Sequence, residues 1–177
     1  TQCGSWAAFK ISKYLTRFTG EARYGDWVER LLLNGIGASI PSDSQGRVFY
    51  YSNYNLDGGS KTLIPDGWPC CSGTRIEATA DYFDQIFYHD ADALYVSQFA
   101  PASVRWPRGD GTVTVSQATR FPYTPWIELT VGVQAPATFD LCVRRPGWLS
   151  GEPAASINGK PVDVETDGHG WLRFKQT

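Results

Sequence analysis

The feature that most constrains this chain is a change of hydrophobic period near residue 86. Ahead of that point apolar residues recur every three or four positions, as on one face of a helix. Behind it they alternate, as in strands packed on one side. Ala7, Ile11, Tyr14, Leu15 and Phe18 follow the helical spacing, with Lys10, Lys13 and Arg17 between them. The pattern predicts a first amphipathic helix that Gly20 ends. Thr19 is placed to cap a second helix, with Glu21 in its first turn and Tyr24, Trp27, Val28, Leu31 and Leu32 as its apolar stripe. Asn34-Gly35 is the expected stop. Two such helices on a short link make a helical hairpin. Further on, Thr74 with Glu77 three positions later predicts a capping box and a third helix to about Phe83.

After Ile86 the expected strands cover residues 86–89, 94–99, 104–106, 112–118, 126–133 and 138–143, with shorter ones at 156–157, 162–164 and 171–174. Arg108-Gly109-Asp110-Gly111, Gln134-Ala135-Pro136 and Asn158-Gly159 supply turns between them. Short strands at this spacing predict an antiparallel β-sandwich. Helices first and strands afterwards predict two regions, residues 1–91 and 92–177, and an α+β fold class.

Composition removes several functions. The formal net charge of -2 and the 14% aromatic content suit neither a disordered chain nor a protein that binds nucleic acid through its phosphates. No apolar run reaches the roughly 20 residues of a membrane span. The sequence begins Thr1-Gln2-Cys3 and contains no Met, so the expectation is a processed product or a piece of a longer protein.

The chemistry gathers at cysteines. Cys70 and Cys71 are neighbours, about 3.8 Å apart at Cα, too close for an ordinary disulfide. They sit beside a predicted helix N-terminus, which favours thiolates. Two adjacent thiolates repel unless a cation lies between them, and Zn²⁺ suits sulfur ligands. Cys3 is the candidate third thiolate. The plainer reading is two core cysteines and a stray one near the chain end, and the residues alone leave both open. Cys142, between Leu141 and Val143 in a strand pattern, reads as a small core hydrophobe. His89, His169, Asp90 and Asp92 read as turn residues. Tyr50, Tyr51 and Tyr54, in a segment rich in Ser, Asn, Asp and Gly, suit a sugar: rings stack on its apolar faces while amides and hydroxyls bond its OH groups. They equally suit space-filling beneath a long loop. Trp106, Trp126 and Trp148 are alternative stacking platforms, on which the chain would be a non-catalytic carbohydrate-binding module.

Several segments together resemble a known family. Trp68-Pro69-Cys70-Cys71-Ser72-Gly73-Thr74 followed by Glu77, then Ile86-Phe87-Tyr88-His89-Asp90 and Leu94-Tyr95-Val96-Ser97-Gln98-Phe99, is similar to the β-L-arabinofuranosidase family of glycoside hydrolases. The opening Cys3-Gly4-Ser5-Trp6, and later Arg145-Pro146-Gly147-Trp148 and Ile157-Asn158-Gly159-Lys160-Pro161-Val162, extend the likeness over nearly the whole chain. The resemblance implies the last helices of an (α/α)6 barrel followed by a sandwich domain, cut from a parent with further N- and C-terminal parts. It implies a retaining hydrolase of β-L-arabinofuranosides or related plant glycans. Its nucleophile would be Cys70, held on a zinc ion with Cys71 and Cys3. The family's fourth ligand, a Glu two positions before the first Cys, corresponds to Thr1. The family's acid/base Glu falls upstream of Thr1, so the resemblance implies that these 177 residues alone are inactive. A folded but inert homologue is the remaining alternative.

Overall fold

The computed structural model describes residues 2–37, 44, 51, 52, 58, 61, 62 and 70–176. The chain divides into two compact units, Thr1–Asp84 and Gln85–Thr177.

In the first unit, helix α1 spans Gln2–Thr19 and α2 spans Arg23–Arg30. Gly20 takes a positive φ of 71° and donates its N–H to Thr16 O, the left-handed C-terminal stop that glycine makes easily. Thr19 Oγ1 does accept the Glu21 N–H, at 3.2 Å, but α2 starts after Ala22, which provides no side-chain cap. Asn34-Gly35 does not end the helix. α2 runs on into a π-helical turn, Leu31–Ile36. Gly35 serves close approach there: a Cβ on it would lie 2.5 Å from Ser5 Oγ in the first turn of α1. Two short strands, β1 (Tyr51–Ser52) and β2 (Lys61–Thr62), pair antiparallel.

Helix α3 spans Cys70–Phe83, one turn earlier than the capping-box reading. Thr74 is therefore an interior residue whose hydroxyl donates to Cys70 O at 3.1 Å, the back-bond that a helical Thr makes. Pro69 directly before Cys70 is the residue type that favours a helix start there. Lys10 and Lys13 of α1 both pair with Asp81 of α3, at 2.9 and 3.3 Å, and Lys13 also reaches Asp84.

The core of this unit is Phe9, Val28, Ile36 and Ala78, with Trp6, Leu31, Leu32 and Tyr82 against it. The buried line of α1 is thus Phe9, Ser12 and Thr16, not the predicted stripe. Ile11, Tyr14 and Phe18 face outward, and Phe18 is 83% exposed. The reason lies in the helix itself. α1 carries apolar side chains on more than one face, so periodicity alone does not say which face α3 will cover.

The second unit holds β3 (Phe87–His89), β4 (Ala93–Val96), β5 (Ala102–Arg108), β6 (Gly111–Thr119), β7 (Ile127–Val133), β8 (Phe139–Arg144), β9 (Ala155–Ile157), β10 (Lys160–Val162), β11 (Glu165–Thr166) and β12 (Trp171–Gln176). One sheet has the order β11-β12-β8-β4-β3 and another β5-β6-β7, and β9-β10 is a separate hairpin. The pairings are antiparallel except β4 with β8, which run parallel with Leu94 beside Leu141. The fold is α+β with mostly antiparallel sheets, as the change of period predicts.

The two sheets share one core: Leu94, Val96, Leu141 and Leu172 from the first, Trp106, Val113 and Val115 from the second. Alternation along β6 places Val113, Val115 and Gln117 inward and Ser116 outward. On β8, Phe139, Leu141 and Val143 point into that core, while Cys142 and Arg144 are buried on the opposite side. Arg144 Nε donates to Ser97 O at 2.6 Å, and its guanidinium lies 4.6 Å from the Phe99 ring.

A polar network ties β12 to its neighbours. Arg173 donates to Asp140 at 2.7 Å and to Asp167 at 3.2 Å. Asp167 also accepts the backbone N–H groups of His169 and Trp171, closing the β11–β12 turn. Asp90 accepts those of Asp92 and Ala93 and the Tyr95 hydroxyl, closing the β3–β4 turn.

Candidate metal centre

Three cysteines far apart in sequence meet where α1 begins and α3 begins. Cys3 lies in the first turn of α1, and Cys70 and Cys71 open α3. Cys3 Sγ is 3.2 Å from Cys70 Sγ and 3.7 Å from Cys71 Sγ, and the three sulfurs all lie within 4.8 Å of one another. Among the described residues this is the group of His, Cys, Asp or Glu side chains close enough to hold a metal ion. Cys71 is fully buried, while Cys3 and Cys70 are half-buried.

The spacing answers to coordination geometry. Tetrahedral zinc bonds sulfur at about 2.3 Å, which puts neighbouring sulfurs about 3.8 Å apart. The Cys3–Cys71 separation matches that edge, and Cys70 needs to withdraw by about half an ångström, within side-chain rotation. Two ligands at the opening of α3 also lie at its positive end, which favours anionic sulfur. None of the four cysteines forms a disulfide.

The thiols perturb one another unequally. Hydrogen bonds from Thr74 and then Cys70 pull the Cys3 thiol below its ordinary value, against the opposing effect of burial. The same bond to Cys3, followed by burial and the nearness of Cys71, pushes Cys70 up to about 11. Three sulfhydryls packed this closely thus favour one thiolate over several. A soft divalent cation reverses that preference by deprotonating its thiol ligands outright. The donor set fits a metal such as zinc.

Thr74 also belongs to the cluster: its Oγ1 is 3.6 Å from Cys3 Sγ. The sequence reading gave Thr74 only a capping role. The signal that would have found it is its position four residues after Cys70 in a helix that starts at Cys70.

The other expected site residues are dispersed. Tyr50, Tyr54 and Thr1 lie outside the described residues, as does the side chain of Tyr51, whose backbone forms β1. Cys142 is a fully buried residue of β8, and burial, against the pull of Arg173, pushes its thiol up to about 12. Glu77 points outward on α3. Trp106 is only 5% exposed and packs edge-on against Phe139, so it offers no stacking face. Trp126 and Trp148 are 73% and 53% exposed, and Trp148 stacks on Phe121 at 5.9 Å.

Comparison with known proteins accounts for both units. The catalytic-domain model of GH127 β-L-arabinofuranosidases matches residues 1–84, and the GH127 middle-domain model matches residues 93–177. The chain belongs to the GH127 β-L-arabinofuranosidase family. This GH127 chain is 27% identical to a non-reducing end β-L-arabinofuranosidase of Bifidobacterium longum subsp. longum, over 90% of the chain and 26% of the relative. It spans about a quarter of the length of that curated relative. In fold it is similar to a GH127 β-L-arabinofuranosidase from Geobacillus stearothermophilus T6, with a TM-score of 0.81, 23% identity, and coverage of 99% of this chain and 29% of that one. A GH127 β-arabinofuranosidase matches with a TM-score of 0.77 and 21% identity, over 99% of this chain and 30% of that one. The catalytic-domain match ends at residue 84, so all three clustered cysteines fall inside it.

Proposed function

We propose that this GH127 chain carries the nucleophile and the thiolate metal ligands of a retaining glycoside hydrolase acting on β-L-arabinofuranosides or related plant glycans. The observation that supports this is the convergence of Cys3, Cys70 and Cys71. On this reading α1–α3 are closing helices of an (α/α)6 barrel, and the two sheets are the sandwich that follows it. Cys3, Cys70 and Cys71 would hold a zinc ion, which would keep their thiols ionised at neutral pH.

Retaining glycosidases ordinarily use two carboxyl groups, one as nucleophile and one as acid/base. Here the Cys70 thiolate takes the first role. Its sulfur attacks the anomeric carbon, the bond to the leaving oxygen breaks, and a thioglycosyl intermediate forms on Cys70. The leaving oxygen needs a proton, and the same group must then take one from the water that releases the sugar. On this reading that acid/base group comes from outside these 177 residues. They bind the metal and present the nucleophile without completing turnover.

The test is metal analysis of the purified chain, then turnover of an aryl β-L-arabinofuranoside. Zinc bound one-to-one in the wild type and lost on Cys70→Ser supports the site. Absence of zinc binding at saturating metal refutes it. Full turnover by the chain alone refutes the assignment of the acid/base group outside it.

A second reading rests on the exposure of Trp126 and Trp148. Flat aromatic faces in solvent suit sugar stacking, and a carbohydrate-binding role would place the sugar in the second unit. Titration with arabinofuranosyl oligosaccharides separates the two: Trp148→Ala weakens binding only on this second reading.

A further inference from the structure

We propose that Thr74 is a positioning residue that fixes the Cys3 sulfur within the thiolate cluster. The inference rests on the metal-thiolate reading above and extends it to a group that is not itself a ligand. Its basis is the double engagement of one hydroxyl. Thr74 Oγ1 donates to the Cys70 carbonyl oxygen at 3.1 Å and lies 3.6 Å from Cys3 Sγ.

A hydroxyl has one proton and two lone pairs, so it can donate to one partner while accepting from another. With Cys3 as a thiol, the Thr74 proton stays on the Cys70 carbonyl and the Cys3 S–H points at Oγ1. A metal-bound Cys3 sulfur would be an acceptor only. Thr74 then rotates about one bond and donates to it, while the Cys70 carbonyl keeps its helical N–H partner. The hydroxyl thus serves both protonation states without any movement of backbone.

Position makes this contact necessary. Cys70 and Cys71 are set by the opening of α3 itself, but Cys3 comes from another helix, 67 residues away. Thr74 is one turn into α3, and its β-branched side chain has restricted χ1 freedom. Thr74 therefore holds from α3 a sulfur that α3 does not itself carry. Partners that orient a metal ligand in this way typically change metal affinity by about 10–100-fold when removed.

The experiment compares Thr74→Val and Thr74→Ala, which remove the hydroxyl, with Thr74→Ser, which keeps it. Zinc affinity of the purified chain is read by competition with a chromophoric chelator. Co²⁺ substitution reports thiolate ligation through its charge-transfer absorbance, and far-UV circular dichroism checks the fold. Loss of about 10–100-fold in zinc affinity in the Val and Ala variants, with Ser close to wild type, is the expected result. Wild-type affinity and an unchanged Co²⁺ spectrum in folded Thr74→Val or Thr74→Ala overturn the proposal.

A second readout needs no metal. Diamide accepts two electrons and two protons from the Cys3 and Cys70 thiols and leaves a disulfide between them, which peptide mass mapping detects. Their sulfurs are 3.2 Å apart, so capture depends on where Cys3 is held. Removing the hydroxyl is expected to slow capture about tenfold, the scale of one hydrogen bond, and Ser is expected to restore it. Failure of the wild type to bind metal, with capture still dependent on Thr74, removes the metal reading and keeps the positioning role. Capture indifferent to Thr74 removes the positioning role.

Discussion

Replacing Cys71 by Ser tests whether the buried sulfur of the cluster is a ligand or a core atom. Cys71 is fully buried, its sulfur is 3.7 Å from that of Cys3, and it shares the opening of α3 with Cys70. Structural zinc in small domains is bound with about 10–16 kcal/mol of apparent free energy. Shared among four ligands, that is about 3–4 kcal/mol for each. Serine keeps the size of the side chain but offers a hydroxyl that ionises far less readily than a thiol. The loss is therefore most of one ligand's share, about 100- to 1,000-fold in dissociation constant at roughly 1.4 kcal/mol per decade. The assay is zinc competition at neutral pH, with Cys142→Ser as control. Cys142 is equally buried but lies in β8, and its replacement is expected to leave zinc affinity intact while lowering stability. Equal zinc affinity in Cys71→Ser and wild type would refute the three-sulfur site and return Cys71 to the core.

Other expected outcomes concern the second unit and the helical packing. Leu94→Ala empties a fully buried position in the core shared by both sheets and should cost about 3 kcal/mol, read by urea unfolding of the chain. Burial works to raise the Asp90 and Asp167 carboxyls, but hydrogen bonds from Tyr95 and backbone N–H groups to Asp90, and from backbone N–H groups and Arg173 to Asp167, hold both below their ordinary values. Their contribution to stability is therefore complete above the unfolded carboxylate value of about 3.9 and drains away as pH falls through the folded values. A urea midpoint that stays flat from pH 6 down to pH 2 would contradict that. Trp148→Ala removes a ring stacked on Phe121 from a half-exposed site and should cost only about 1 kcal/mol by the same measurement. Gly35→Ala, which brings a Cβ to 2.5 Å from Ser5 Oγ, should force Ser5 to turn away and lower the helicity of α1 by circular dichroism.

The sequence carries the second unit more plainly than the first. Alternation along Thr112 to Ala118 or Thr138 to Val143 is a local signal, and the observed strands β6 and β8 coincide with it to within a residue or so. The parallel pairing of β4 with β8 joins strands with β5, β6 and β7 between them in the chain, and no short-range pattern encodes it. In the helices the period is legible but the choice of face is not. Phe9, Ser12 and Thr16 outcompete Ile11, Tyr14 and Phe18 for burial because α3 brings Ala78 and Tyr82 to that side. Asn34-Gly35 looks like a terminator because glycine commonly ends helices, yet here its missing side chain makes room for Ser5. The meeting of Cys3 with Cys70 and Cys71 could be suspected only from a motif, since nothing local dictates contact between residues 67 positions apart.

That separation has a mechanical consequence. A metal held by Cys3 and the Cys70-Cys71 pair ties off a loop of 67 residues, much as a disulfide would. By the chain-entropy relation for cross-links, closing a loop of that length removes about 4 kcal/mol of freedom from the unfolded chain. With a metal bound, the same sulfurs would act as a clasp, holding the start of α1 to the start of α3. Demetallation and melting of α1 should then occur as one event, and a chelator should act on this chain as a denaturant of its first helix.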